Sequence, residues 1–122
     1  AAAFVTRRAE ISKRAQVLDR FMRAMAEAAK ILHTDKEFTY KVLEKQLRLK
    51  DRKILDASYN GEIKALDPKL TIALEGVQAI LDDVAKTDPR AKGVKAEDMI
   101  DRRFLDEMGK SGFFDKLWEG KR

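Results

Sequence analysis

The feature that most constrains this chain is the spacing of its apolar residues, which step by three and four and almost never alternate. Leu18, Phe21, Met22, Met25, Ala29 and Leu32 recur at helical spacing, which places them along one side of an α-helix. Arg20, Arg23, Glu27 and Lys30 fall on other faces, and Arg23 and Glu27, four apart, form a candidate ion pair. Ser12 is the expected start of this helix and His33 its approximate end. Period-two alternation is absent beyond the first few residues, and no internal repeat is visible. The spacing therefore predicts helix packed on helix.

Punctuation divides the remainder into further helices. Thr34-Asp35-Lys36-Glu37 has the capping-box pattern, with Thr34 as the expected cap and Glu37 reaching back. A second helix is expected from about Asp35 to Arg48, presenting Phe38, Val42, Leu43 and Leu47. Asp51 should cap a third, carrying Ile54, Leu55, Tyr59 and Ile63, with Asn60-Gly61 a candidate kink. Asp67-Pro68 marks the next break. Leu70, Leu74, Val77, Leu81 and Val84 then form a seam over two heptads that calls for a neighbour. Thr87-Asp88-Pro89 closes that helix, and Lys92-Gly93 continues the loop. A fifth helix should begin at Glu97 and Asp98 and bear Ile100, Phe104, Leu105 and Met108, with Gly109 and Gly112 bracketing its end. Phe113, Phe114, Leu117 and Trp118 make a last apolar turn before a Gly120-Lys121-Arg122 tail. The expected fold is mainly α: about five helices behind a short extended N-terminal segment, Phe4-Val5.

Composition narrows the function classes. The 122 residues suit one domain. No apolar run approaches the ~18 residues of a membrane helix. The absence of Cys excludes a disulfide framework, a zinc-thiolate site and a cysteine nucleophile. The net charge is +5, but 26 Lys and Arg are interleaved with 21 Asp and Glu, as on a solvated helical surface. Ala1-Ala2-Ala3-Phe4-Val5 lacks the basic and long apolar regions of a signal peptide, so a processed or truncated product is expected.

Each motif that might carry chemistry has a structural reading. His33 is the single histidine and has no partners at ligand spacing. Asp82-Asp83, Glu97-Asp98 and Asp106-Glu107 are adjacent pairs, and neighbours on a helix diverge by about 100°. Pairs four apart are expected instead: Asp98 with Arg102, Arg103 with Glu107, and Asp106 with Lys110. Gly109-Lys110-Ser111 lacks the earlier glycine and strand of a P-loop, with Phe104 where that glycine would stand. Gly109-Lys110-Ser111-Gly112 spells a GXXG loop without the strands of a KH module. Lys45, Arg48, Lys50, Arg52 and Lys53 are the densest basic cluster, and Tyr40 and Tyr59 lie too far from it in sequence to interleave as a stacking platform. No catalytic residue, metal ligand or cofactor is expected.

Three stretches carry a family resemblance. They are Leu74-Glu75-Gly76-Val77-Gln78-Ala79-Ile80-Leu81-Asp82-Asp83-Val84-Ala85-Lys86 leading into Asp88-Pro89, then Met99-Ile100-Asp101-Arg102-Arg103-Phe104-Leu105, then Lys110-Ser111-Gly112-Phe113-Phe114-Asp115-Lys116-Leu117-Trp118. Together they resemble the C-terminal region of the periplasmic solute-binding proteins of ABC importers. The most similar group binds sulfonates, nitrate, taurine and thiamine-pyrimidine precursors. Phe4-Val5-Thr6-Arg7-Arg8 and the helix around Phe21-Met22-Arg23-Ala24 resemble the same proteins where the chain returns to the first lobe. The resemblance covers nearly the whole chain and rests on packing residues and helix ends.

It implies that residues 1–122 are a single helical C-terminal segment of a larger, two-lobed α/β protein. That protein would capture a small-molecule solute in the periplasm, without catalysis, and deliver it to the membrane permease of an ABC importer. No ligand-contact motif of the family maps onto these residues, so the ligand-binding residues stay unassigned. Two alternatives stand beside it: a freestanding helical module, binding nucleic acid through the Lys45–Lys53 cluster, and a dimerisation domain using the Leu70–Val84 seam. Nucleic acid is not the favoured partner. Self-association of the piece as a homodimer is expected through Phe113, Phe114, Leu117 and Trp118.

Overall fold

The computed structural model describes residues 3–119. The Ala1-Ala2 opening and the Gly120-Lys121-Arg122 tail lie outside the described residues. Among those described there are eight α-helices, one 3₁₀ turn and no strand, so the mainly α expectation holds with more breaks than anticipated. They are α1 (Arg8–Lys13), α2 (Ala15–Thr34), α3 (Lys36–Leu47), α4 (Arg52–Ala65), α5 (Leu74–Val84), α6 (Ala96–Met99), α7 (Arg103–Lys110) and α8 (Phe113–Trp118). The 3₁₀ turn spans Pro89–Ala91. Phe4 and Val5 lead in without helix or strand, and the Phe4 ring stands edge-on to Phe21 at 5.2 Å.

The first helix does not begin at Ser12. Helix α1 starts at Arg8, and Arg14, at φ −124° and ψ 39°, separates it from α2. The next cap also moves by one residue. Thr34 turns its hydroxyl back to donate to the Lys30 carbonyl at 2.7 Å, which keeps it inside α2. Asp35 takes the cap of α3 instead, accepting from the Phe38 amide at 3.1 Å. Asp51 caps α4 as expected through the Lys53 amide at 2.9 Å. Asn60-Gly61 does not split α4, which runs unbroken from Arg52 to Ala65.

Two aspartates separate helices, Asp67 at the expected break and Asp101 inside the stretch expected to be one helix. The Asp67 carboxylate accepts from the amides of Lys69 and Thr71 at 2.9 and 3.2 Å, an Asx turn beside Pro68 that redirects the chain. Leu70 is left at φ 61° and buried away from α5, so the two-heptad seam is broken at its first residue. Asp101 does the same between α6 and α7, accepting from the Arg103 amide at 3.0 Å. Its oxygen also binds the Arg103 guanidinium at 3.0 Å, which displaces the expected Arg103–Glu107 pair. Neither Asp98–Arg102 nor Asp106–Lys110 forms an ion pair among the described residues. Gly109 lies inside α7, and Gly112, at φ 81°, is the residue that turns the chain into α8.

Two apolar clusters hold the helices together. Ala26, Ala29, Leu70, Met108 and Phe114 form the first, with Met22, Met25, Leu66, Leu105, Phe113 and Leu117 against it. Two alanines on α2 let α7 and α8 approach closely, as small residues at a helix contact do. Tyr40, Leu55 and Tyr59 form the second, with Leu32, Leu43, Leu49 and Ile63 around them. Helix α2 serves both, at its middle and at its C-terminal end. The expected patch at Phe113, Phe114, Leu117 and Trp118 is therefore a correction: Phe114 is buried, and Phe113 and Leu117 pack on the first cluster.

Candidate functional site

The α3–α4 corner gathers more polar side chains around a buried centre than any other described part of the chain. Tyr40 is fully buried and donates its hydroxyl to Asp56. Arg52, from the turn of the basic cluster, lies over the Tyr40 ring at 4.2 Å and donates to Glu37 at 2.9 Å. Lys36 approaches both rings, at 5.5 Å from Tyr40 and 5.6 Å from Tyr59. Tyr59 meets Tyr40 edge-on at 5.4 Å and donates to the Leu32 carbonyl at 2.8 Å. Lys36 and Tyr40 apart, these contacts join residues twelve or more apart in sequence, so helical spacing does not announce them.

Electrostatics make this corner a structural lock. Burial, reinforced by the hydrogen bond and charge of Asp56, pushes the Tyr40 phenol up to about 12. Burial also raises Tyr59. The bond to Glu37 raises Arg52 further above its usual value. Both phenols stay protonated at neutral pH and donate hydrogen bonds. The basic cluster contributes Arg52 to this lock, while Lys45, Arg48, Lys50 and Lys53 stay on the outside of the turn. Tyr40 and Tyr59 turn out to be spatial neighbours of that cluster. Their burial leaves no exposed face on which a base could stack.

His33 is also accounted for structurally. Its Nε2–H donates to the Leu66 carbonyl at 2.9 Å, tying the end of α2 to the linker before Asp67. Burial alone would raise Asp67, but the amides of Lys69 and Thr71 outweigh it and hold this carboxyl below its ordinary range, with His33 nearby. Arg23, expected to pair with Glu27, donates to Asp19 at 2.9 Å and lies over the Phe113 ring at 4.8 Å. No group of three or more metal-ligating side chains is found among the described residues. No helix among them is long and apolar enough to cross a membrane.

Two open depressions remain. One, of about 590 Å³, is floored by Phe114 and Trp118 and edged by Lys69, Gly112, Asp115, Lys116 and Glu119. The Trp118 indole nitrogen beside it is buried and has no acceptor among the described residues, an unmet donor of the kind folded proteins rarely keep. The second, of about 460 Å³, lies between α5 and the loop around Gly93. There the Gln78 side chain accepts from the Ala96 amide at 3.1 Å.

Comparison with protein-family models, curated proteins and solved structures finds no match to this chain.

Proposed function

We propose that this chain is part of a substrate-binding protein that captures a small solute for an ABC transporter and performs no catalysis. The observation that carries the reading is the state of α5, the element on which the longest stretch of the family resemblance falls. Leu74, Val77, Leu81 and Val84 line one side of it, yet α5 has no buried residue and belongs to neither apolar cluster. It is tethered by polar contacts, through Gln78 to Ala96 and beside Arg102, which donates to the Ile72 carbonyl at 3.3 Å. A helix with an apolar stripe and no core of its own suits packing against a further layer, and a two-lobed α/β protein supplies that layer. Ile80 and Met99 are also exposed, at 65% and 60%.

The helices, on this reading, are the outer packing of a binding protein whose cleft lies in residues not present in this sequence. The test is the reading frame upstream of Ala1. A secretory signal followed by α/β sequence of one to two domains supports the proposal; a start codon immediately before Ala1 overturns it. Thermal shift on the full-length protein with alkyl sulfonates, nitrate, taurine and aminopyrimidines would then identify the solute class.

A further inference from the structure

Helix α2 carries two apolar faces; the inner one packs into the clusters, and on the outer one the Phe4 ring stands edge-on to Phe21. The inner face, Leu18, Met22, Met25, Ala29 and Leu32, turns toward the clusters described above. The outer face is Val17, Phe21, Ala24, Ala28 and Ile31, which advance by four, three, four and three residues. All five are exposed, with Val17, Phe21 and Ile31 at 57%, 43% and 40%. At 100° per residue they fall within about 40° of a single line running most of the helix. That is the pattern of a helix–helix seam.

The spacing along the seam is nearly symmetric about Ala24, with Val17 and Ile31 each seven residues away and bulky Phe21 mirrored by small Ala28. Laid antiparallel on itself about that residue, Ala24 meets its own copy, Phe21 fits over Ala28, and Val17 lies beside Ile31. A parallel pairing would set Phe21 on Phe21 and leave a gap at the two alanines. Charge agrees with the antiparallel choice. Arg20 and Glu27 are seven apart, so they flank the seam on the same side, away from the core. Neither forms an ion pair among the described residues. In an antiparallel pair same-side positions face each other, which sets Arg20 of each copy opposite Glu27 of the other.

We propose that the outer face of α2 is the interface for a second copy of this chain, paired antiparallel about a two-fold axis at Ala24. Such an interface is isologous and closes on itself, and it covers an apolar stripe that isolated chains rarely leave bare. The pairing is a property of the 122-residue chain and stands whether or not the transport reading does.

Light scattering on the purified chain at roughly 100 µM, where a micromolar interface is filled, should give a dimer. Ala24→Arg should give a monomer with unchanged helical circular dichroism. The chain has no cysteine, so Ala24→Cys should oxidise to a linked dimer far faster than Ser58→Cys, at an exposed position of α4. Arg20→Glu should weaken the dimer about tenfold, and adding Glu27→Arg should restore it. A monomeric wild-type chain overturns the proposal and leaves the face to a segment of a longer protein. Equal oxidation at Ala24→Cys and Ser58→Cys, or no restoration by the double exchange, overturns the antiparallel arrangement.

Discussion

The two clusters joined by α2 are built on different principles. The first brings together residues from opposite ends of the chain, Met22 to Leu117, and relies on apolar contact: alanine, methionine, leucine and phenylalanine. The second is assembled from consecutive elements, the end of α2 through α4, and its two tyrosines end in hydrogen bonds to Asp56 and the Leu32 carbonyl. Apolar contact has little directionality, so the first cluster joins whatever faces present volume at the right place. Hydroxyl groups require a partner at a set distance and angle, so the second cluster sets the register of α3 against α4. One region supplies closure, the other orientation.

Breaking each region should therefore look different. Met108 is fully buried, and Met108→Ala should cost about 3 kcal/mol through lost burial and a residual cavity. Urea denaturation followed by circular dichroism measures this, and a cost near zero would show that the chain ends are not joined through α7. Tyr59→Phe keeps the ring and removes only the donor to Leu32, for a cost of about 1 kcal/mol. A loss as large as that of Met108→Ala would contradict the division of roles. Gly61 sits mid-helix in α4 with nothing within 4 Å of an added Cβ, so Gly61→Ala should stabilise the chain by about 0.7 kcal/mol.

The smallest effect belongs to the linker between the clusters. The Asp67 carboxyl is held below its ordinary value, the amide bonds from Lys69 and Thr71 outweighing burial. The folded state therefore binds this proton more weakly than the unfolded chain does. The stability it contributes is complete above the unfolded value and is lost as pH falls through the folded one. Comparing urea midpoints at roughly pH 6 and pH 3, wild type should lose more than Asp67→Asn, because the amide lacks the titration. Equal losses would remove Asp67 from the acid response.

Local chemistry was legible in the sequence, and tertiary choices were not. Asp51 as a cap, the Asp67-Pro68 break and the turn at Gly112 follow from short-range preferences that the packing does not contest. Arg23 shows the limit. Asp19 and Glu27 both lie four residues away, and helical spacing cannot rank them. The Phe113 ring, ninety residues on, draws the guanidinium and leaves Asp19 as its partner. Phe21 fits the period of the inner face, yet it is 43% exposed and belongs to the outer one. Both stripes advance by four and three, so period alone does not tell one from the other. Nothing local reveals Tyr40–Asp56, whose meeting depends on how the α3–α4 turn folds back. Of the candidate site, the basic cluster was visible; its use of Arg52 as a clamp on a buried ring was not.

The single tryptophan stands at the margin of the first cluster, and both tyrosines stand in the second. The two regions are thus labelled with different natural chromophores, and no probe need be introduced to tell them apart. Indole emission follows the joining of the chain ends, and the tyrosine bands of near-ultraviolet dichroism follow the α3–α4 corner. Coincident transitions of the two signals would mean that the chain melts as one cooperative unit; separated ones would resolve the order in which its halves let go.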